Sequence, residues 1–346
     1  MDTQFVKPGM YIDFRSDTVT KPTGEMRQAM AESVVGDDVY GDDPTIARLE
    51  EAGAKALGLP AALFVPSGTM GNQIAVMTHT KRGDEVILGS NAHIAVHEVG
   101  AAAVLSGVSY RMVDNPDETV RGQDVVKAIR PEDIHYPDTG LLCLENPLSN
   151  GRVVPLNIME EAYLAASKNK IPVHLDGARI FNAAAYLGVK ASDIAKFADS
   201  VMFCLSKGLC SPVGSILAGS TEFVNKARKY RKMLGGGMRQ AGVLAACGII
   251  SIEKMTKRLP EDHDNARYLA ERLDEIDFIK SNEVHINMVF FRINKPSFDH
   301  KAFTNALLEK GIKSNAGEGG LYRFVTHNDI SRKDIDLAID AIREIL

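Results

Sequence analysis

In "VMFCLSKGLCSPVGS", residues 201–215, an apolar run of strand character ends on a single lysine, Lys207, with Ser206 before it and Gly208 after it. Reading outward, similar short apolar runs bounded by Gly, Pro or Asp recur along the chain. They are "ALFV" at 62–65, "EVILG" at 85–89, "LLCLE" at 141–145, "IPVHLD" at 171–176, "SVMFCL" at 200–205 and "GSILAG" at 214–219. These spell strands. Between them lie stretches of helical period, such as "PTIARLEEAGAKALG", where Asp43 can cap and Pro44 occupies the first helical position, and "LNIMEEAYLAASKNK". Alternation of strand and helix predicts an α/β domain built on a mainly parallel sheet with helices on both faces. Past about residue 255 the pattern changes to "DHDNARYLAERLDE", strand-like "INMVFFRI" and a final helix "RKDIDLAIDAIREIL". This predicts a large domain over 1–255, N-terminal segment included, and a smaller α+β domain over 256–346.

Composition narrows the function. With 346 residues, 25% charged, 45% apolar and a net charge of -5, the chain offers no reason to expect nucleic acid or an anionic membrane as partner. The one basic cluster, "KARKYRK", reads as the last turns of a helix, where cations meet the negative dipole end. Four cysteines, Cys143, Cys204, Cys210 and Cys247, stand far apart without a C-x-x-C pair, as expected of reduced, buried thiols. "MDTQFVKPGM" carries no secretory pattern, and the apolar run "AGVLAACGIISI" is too short to span a bilayer, so a cytoplasmic protein is expected. No metal site is expected, since "VVGDDVYGDDP" lacks the spacing of an EF-hand loop.

In an open α/β sheet ligands collect at the carboxyl ends of the strands, and Lys207 falls at such an end. Burial disfavours the charged form of an amine, and a neutral amine attacks carbonyls. Its company gives it a task. "FVPSGTMGN" is a strand, a turn and a helix start, leaving unpaired amides around Gly68 and Thr69 where a phosphate could sit. The same stretch could equally be a plainly capped helix. "VHLDGAR" ends another strand on Asp176, followed by Arg179. Those two could form a structural pair, or Asp176 could hold a proton on a heterocyclic nitrogen while Arg179 faces an anion. A phosphate turn, a strand-end aspartate and a strand-end lysine together match the needs of pyridoxal 5'-phosphate (PLP).

These residues resemble the threonine aldolases of the β-eliminating lyase family, PLP enzymes with the aspartate-aminotransferase fold (fold type I). The resemblance runs through "DFRSDTVTKPT", "VGDDVYGDDPT", "PSGTMGN", "HLDGARIFNA", "VMFCLSKGLCSPVGS", "KMLGGGMRQAG" and "RFVTH", from residue 13 to residue 327. It implies Lys207 as the Schiff-base lysine, Asp176 as the pyridine partner, Gly68, Thr69 and Arg239 as phosphate ligands, and His93 as the ring-stacking histidine. By the same resemblance Ser16, Arg179 and Arg323 bind the carboxylate of an amino acid substrate, and Tyr40 lies near a dimer interface. The implied activity is retro-aldol cleavage of L-threonine, L-allo-threonine or a related β-hydroxy amino acid to glycine and an aldehyde. The implied assembly is a homotetramer, a dimer of dimers with active sites at the tight interface. A β-eliminating lyase or aminotransferase is the alternative, because the family's Glu-Asn-Thr-His-Asn is "ENPLSN" here and Leu148 aligns with the histidine. His93, or a water held by it, is then left as the base. His97, one helical turn on, is a candidate to replace part of the lost imidazole.

Overall fold

The computed structural model describes residues 11–317 and 319–346, so the "MDTQFVKPGM" reading lies outside the described residues. Its strands are β1 (Ile12–Asp13), β2 (Ala61–Val65), β3 (Glu85–Gly89), β4 (Ser109–Val113), β5 (Thr139–Glu145), β6 (Val173–Asp176), β7 (Ser200–Cys204), β8 (Ser215–Gly219), β9 (Ile279–Ser281), β10 (Met288–Ile293), β11 (Ile312–Lys313) and β12 (Leu321–Val325). Seven form the main sheet in the order β2-β8-β7-β6-β5-β3-β4. Only β8 runs against the others, pairing antiparallel with both β2 and β7. All five residues of β3, β7 and β8 are buried, which is why, after a polar first residue, those runs are apolar rather than alternating.

The connections carry the chemistry. Between β2 and β3 the helix Gly68–His79 begins under a Ser67 cap, whose hydroxyl accepts from the Met70 amide. Between β7 and β8 the Lys207 loop returns on Gly214, at φ +103°, where a side chain would drive into the Phe64 ring. Asp43 caps the helix Pro44–Leu57 by accepting from the Thr45 and Ile46 amides, as the sequence predicts, and its other oxygen accepts from the Gly242 amide 2.9 Å away.

A second core lies among the helix Leu259–Asp274, the antiparallel sheet β9-β10-β12 and the helix Arg332–Ile345. Phe14 belongs to it, stacked on Phe324 at 4.9 Å with the rings 9° from parallel. β1 pairs in parallel with β11, so the segment leading to Ser16 packs with the smaller unit rather than the large sheet. All four cysteines are buried and unbonded to one another. Among the described residues no helix is long and apolar enough to cross a membrane.

Candidate active site

β5, β6 and β7 run parallel and in register, with Glu145 beside Asp176 and Asp176 beside Met202, so the carboxylates ending β5 and β6 stand side by side. Asp176 is 3% exposed. Its Oδ2 accepts from Asn72 at 2.8 Å and its Oδ1 from the Ala178 amide at 3.1 Å. It does not pair with Arg179. That guanidinium instead gives Nε (2.8 Å) and Nη2 (2.5 Å) to Asp17, which settles the open question of an Asp176–Arg179 structural pair and corrects it. Burial alone would raise the Asp17 carboxyl, but the charge and hydrogen bonds of Arg179, with help from Lys207 and Asn287, hold it well below the usual carboxylate range.

Arg323 projects from β12 toward the same place and donates to the Arg15 carbonyl at 3.2 Å. It has no ion-pair partner among the described residues. Burial and then the neighbouring Arg179 depress its guanidinium, so two cations share the one carboxylate of Asp17. Nη1 of Arg179 makes no hydrogen bond among the described residues. An uncompensated buried cation is costly, and an arriving anion would relieve it. Ser16 stands next to this pair, capping a short 3₁₀ turn by accepting from the Thr18 amide at 3.2 Å.

His93 opens a helix of only four residues, His93–Val96. Its Nδ1 lies 3.0 Å from Oε1 of Glu98, and its backbone amide donates to Glu145 at 3.0 Å. The hydrogen bond to Glu98 raises the imidazole above its ordinary value against the opposing effect of burial, with Asp176 adding to the rise and Lys207 subtracting from it. His97 is the residue that ends this helix, exposed, with its ring 5.4 Å from that of His93. Carboxylate and imidazole atoms of His93, Glu98 and Asp176 lie within 4.8 Å of one another, the spacing of metal ligands, but an Asn72 amide already donates to both acids.

The amides of Gly68 and Thr69 make no hydrogen bond among the described residues, leaving a twelve-residue helix with open donors at its positive end. A Cβ on Gly68 would come within 3.0 Å of Cys204 Sγ, so glycine lets the turn close onto β7. Arg239 is not brought to this seat in the single chain. Half exposed, it donates to Asp37 at 2.9 Å.

Leu148 is buried in a tight loop held by Ser149, which donates to Glu145 at 2.6 Å, and it lines a small cavity with Ala92, Glu145 and Ser149. No imidazole stands there. Glu145 is half-buried, and desolvation, then repulsion from Asp176, pushes its carboxyl well above the ordinary range. Asp17, Asn72, Glu98 and Glu145 are site residues that the sequence reading did not single out. The signal available was positional: Asp17, Asn72 and Glu145 fall inside "DFRSD", "SGTMGN" and "ENPLSN", and Glu98 directly follows His97.

The architecture, with its polar cluster at the strand ends, defines a fold type I α/β enzyme. The chain belongs to the beta-eliminating lyase family, whose model matches residues 13–296. It is 42% identical to the low specificity L-threonine aldolase of Escherichia coli over 94% of this chain and 96% of that one. Its fold matches the threonine aldolase of Leishmania major with a TM-score of 0.83 at 20% identity, covering 96% and 99% of the two chains. A serine palmitoyltransferase from Sphingomonas wittichii matches at 0.76 with 16% identity, over 96% and 86%.

Proposed function

We propose that this protein is a PLP-dependent threonine aldolase, cleaving L-threonine, L-allo-threonine or a related β-hydroxy-α-amino acid to glycine and an aldehyde. The observation that carries the reading is the pair of half-buried arginines, Arg179 held by Asp17 and Arg323 donating only to the Arg15 carbonyl, without an ion-pair partner among the described residues. An amino acid carboxylate fits that deficit. The donor set fits PLP as well: open amides at Gly68 and Thr69 for the phosphate, Asp176 for the ring nitrogen, the His93 imidazole for the ring face, and the Lys207 amine for the aldehyde.

When bound, PLP supplies the electron sink for the bond that breaks. The chain's own residues choose that bond. Arg323, the remaining Nη1 of Arg179 and the Ser16 hydroxyl fix the carboxylate, so that Cα–Cβ rather than Cα–H is held in the reactive orientation. His93, its Nδ1 fixed by Glu98, presents Nε2 to take the β-hydroxyl proton as Cβ becomes the aldehyde carbon. Cα then takes a proton to give glycine. Holding the reacting groups in place supplies several kcal/mol, roughly, of the acceleration.

A homotetramer in the cytoplasm completes the reading. Tyr40 is 78% exposed on the "VYGDD" turn, and Val39 packs beside Gly237 of the "GGGM" loop that carries Arg239. Arg239 would then serve the phosphate seat of a second copy.

The test is product analysis on both threonine diastereomers. Glycine with acetaldehyde supports the aldolase, whereas pyruvate or ammonia would assign the chain to β-elimination or transamination, the outcome that Leu148 in place of an imidazole leaves room for. Lys207→Ala should abolish turnover, since no second amine is placed to substitute; residual activity above about one part in a thousand would remove Lys207 from its role.

A further inference from the structure

Asn72 is fully buried on the inner face of the helix Gly68–His79, and every polar atom of its side chain is engaged. Nδ2 donates one hydrogen to Oδ2 of Asp176 and the other to Oε1 of Glu98, each at 2.8 Å. Two carboxylates can only accept, so the orientation of the amide is forced: its nitrogen faces the acids and its oxygen faces away. That oxygen lies 3.1 Å from Nε2 of His174. Nε2 must therefore carry a hydrogen. Burial pushes His174 down to about 3, so the ring is neutral and its Nδ1 is a lone pair. The Ser200 hydroxyl, 2.9 Å away, must donate to that lone pair. Ser200 Oγ then accepts from Nε2 of His79 at 2.8 Å. One sense of donation runs the length of the chain, from His79 through Ser200, His174 and Asn72 to the two acids.

We propose that Asn72 is a positioning residue that couples Asp176 to the Glu98–His93 pair, with His174 as the group that sets its orientation. This rests on the reading of Asp176 and His93 as the cofactor's ring partners. Asp176 and His93 would meet the ring nitrogen and the ring face of a bound cofactor, and they come from different elements, β6 and the short helix after β3. Asn72 joins them through one rigid amide. Gln73 adds a hydrogen bond of 2.6 Å to the other oxygen of Glu98, so that carboxylate is pinned on both sides. Losing the Asn72 amide would leave two buried acids facing each other without a donor between them, and both ring partners would lose their alignment together.

The experiment titrates the full chain, stripped of cofactor, with PLP and follows its absorbance, alongside the thermal midpoint of the cofactor-free protein. Asn72→Leu should weaken PLP at least tenfold while shifting that midpoint by only a few degrees; a PLP affinity within twofold of wild type overturns the proposal. Should Asn72→Leu fail to fold, His174 decides. His174→Phe should weaken PLP about fivefold, and His174→Gln, whose amide can still donate to Asn72, should return it to within twofold; equal affinities for the two variants overturn the proposal. Nitrogen-15 correlation spectra of the wild type should show His174 and His79 as neutral Nε2-H tautomers, and an Nδ1-H tautomer at His174 overturns it as well. Asp176→Ala separates the two levels. If it abolishes tight PLP binding while Asn72→Leu does not, the coupling alone is wrong; if Asp176→Ala binds PLP normally, the reading of the site beneath it is wrong.

Discussion

Arg179 cannot act as a simple substrate clamp, because two of its three nitrogens are committed to Asp17. Asp17 makes the buried guanidinium tolerable and aims it, leaving Nη1 to meet an anion. Asp17→Asn should therefore cost about 3–5 kcal/mol of stability, the usual penalty for stripping a buried charge of its partner, measured by urea denaturation; a loss under about 1 kcal/mol would mean Arg179 finds another partner. Arg323→Ala removes a charge-assisted contact without orphaning an acid. KM for threonine should rise roughly tenfold to a hundredfold with kcat little changed, if ground and transition states use the contact equally. An unchanged KM would detach Arg323 from the carboxylate. Lys207 and Asp176 could be read from the sequence because a charged residue ending an apolar strand is locally anomalous. Asp17, Asn72 and Glu98 could not, since a polar residue in a turn or on a helix is ordinary until the fold shows what it faces.

At the scale of elements, legibility followed burial pattern. Strands buried on both faces, such as "EVILG" and "SVMFC", announce themselves as apolar runs that follow a single polar residue. β4, "SYRMV", is an edge strand with exposed and half-buried positions only, and its sequence gives no such run. The two-residue ladder of β1 with β11 is set by long-range packing and has no local signal. The helix expected to carry both His93 and His97 stops at Val96, followed by Val99 at φ +57° and Gly100 at φ +67°. His97 still lies near His93, so its effect remains testable: His97→Ala should change the ratio of threonine to allo-threonine cleavage, and unchanged rates on both diastereomers would reject a role. Asp43 shows how a cap can join elements. It satisfies two amides of its own helix and the first amide of the helix Gly242–Glu253. Asp43→Ala should therefore exceed an ordinary cap loss of about 0.5–2 kcal/mol, because a buried Gly242 amide is orphaned as well. Denaturation midpoints would show it, and a loss below about 0.5 kcal/mol would mean water reaches Gly242.

Across the described residues, three histidines are held neutral by desolvation, the buried His174 and His263 and the half-buried His79: His174 is pushed down to about 3, and His79 and His263 to about 4. The unfolded chain would bind protons at these positions near pH 6.5, and the folded chain would not. Stability from this source is therefore complete above about pH 6.5 and declines as the pH falls toward the folded values, by about 1.4 kcal/mol per pH unit for each histidine. His93 and Glu145 work in the opposite sense, because both are raised on folding. The net slope of the wild type mixes the two. A variant isolates one member: His174→Gln keeps a donor toward Asn72 and removes one titration. Between pH 8 and pH 5 the cofactor-free His174→Gln protein should lose about 2 kcal/mol less than wild type, read from urea midpoints at each pH. Parallel curves would show that His174 is protonated in the folded state at pH 5. In that state it could not accept from Ser200, and the Ser200 and His79 hydrogen bonds would reverse while the donation through Asn72 to Asp176 kept its sense.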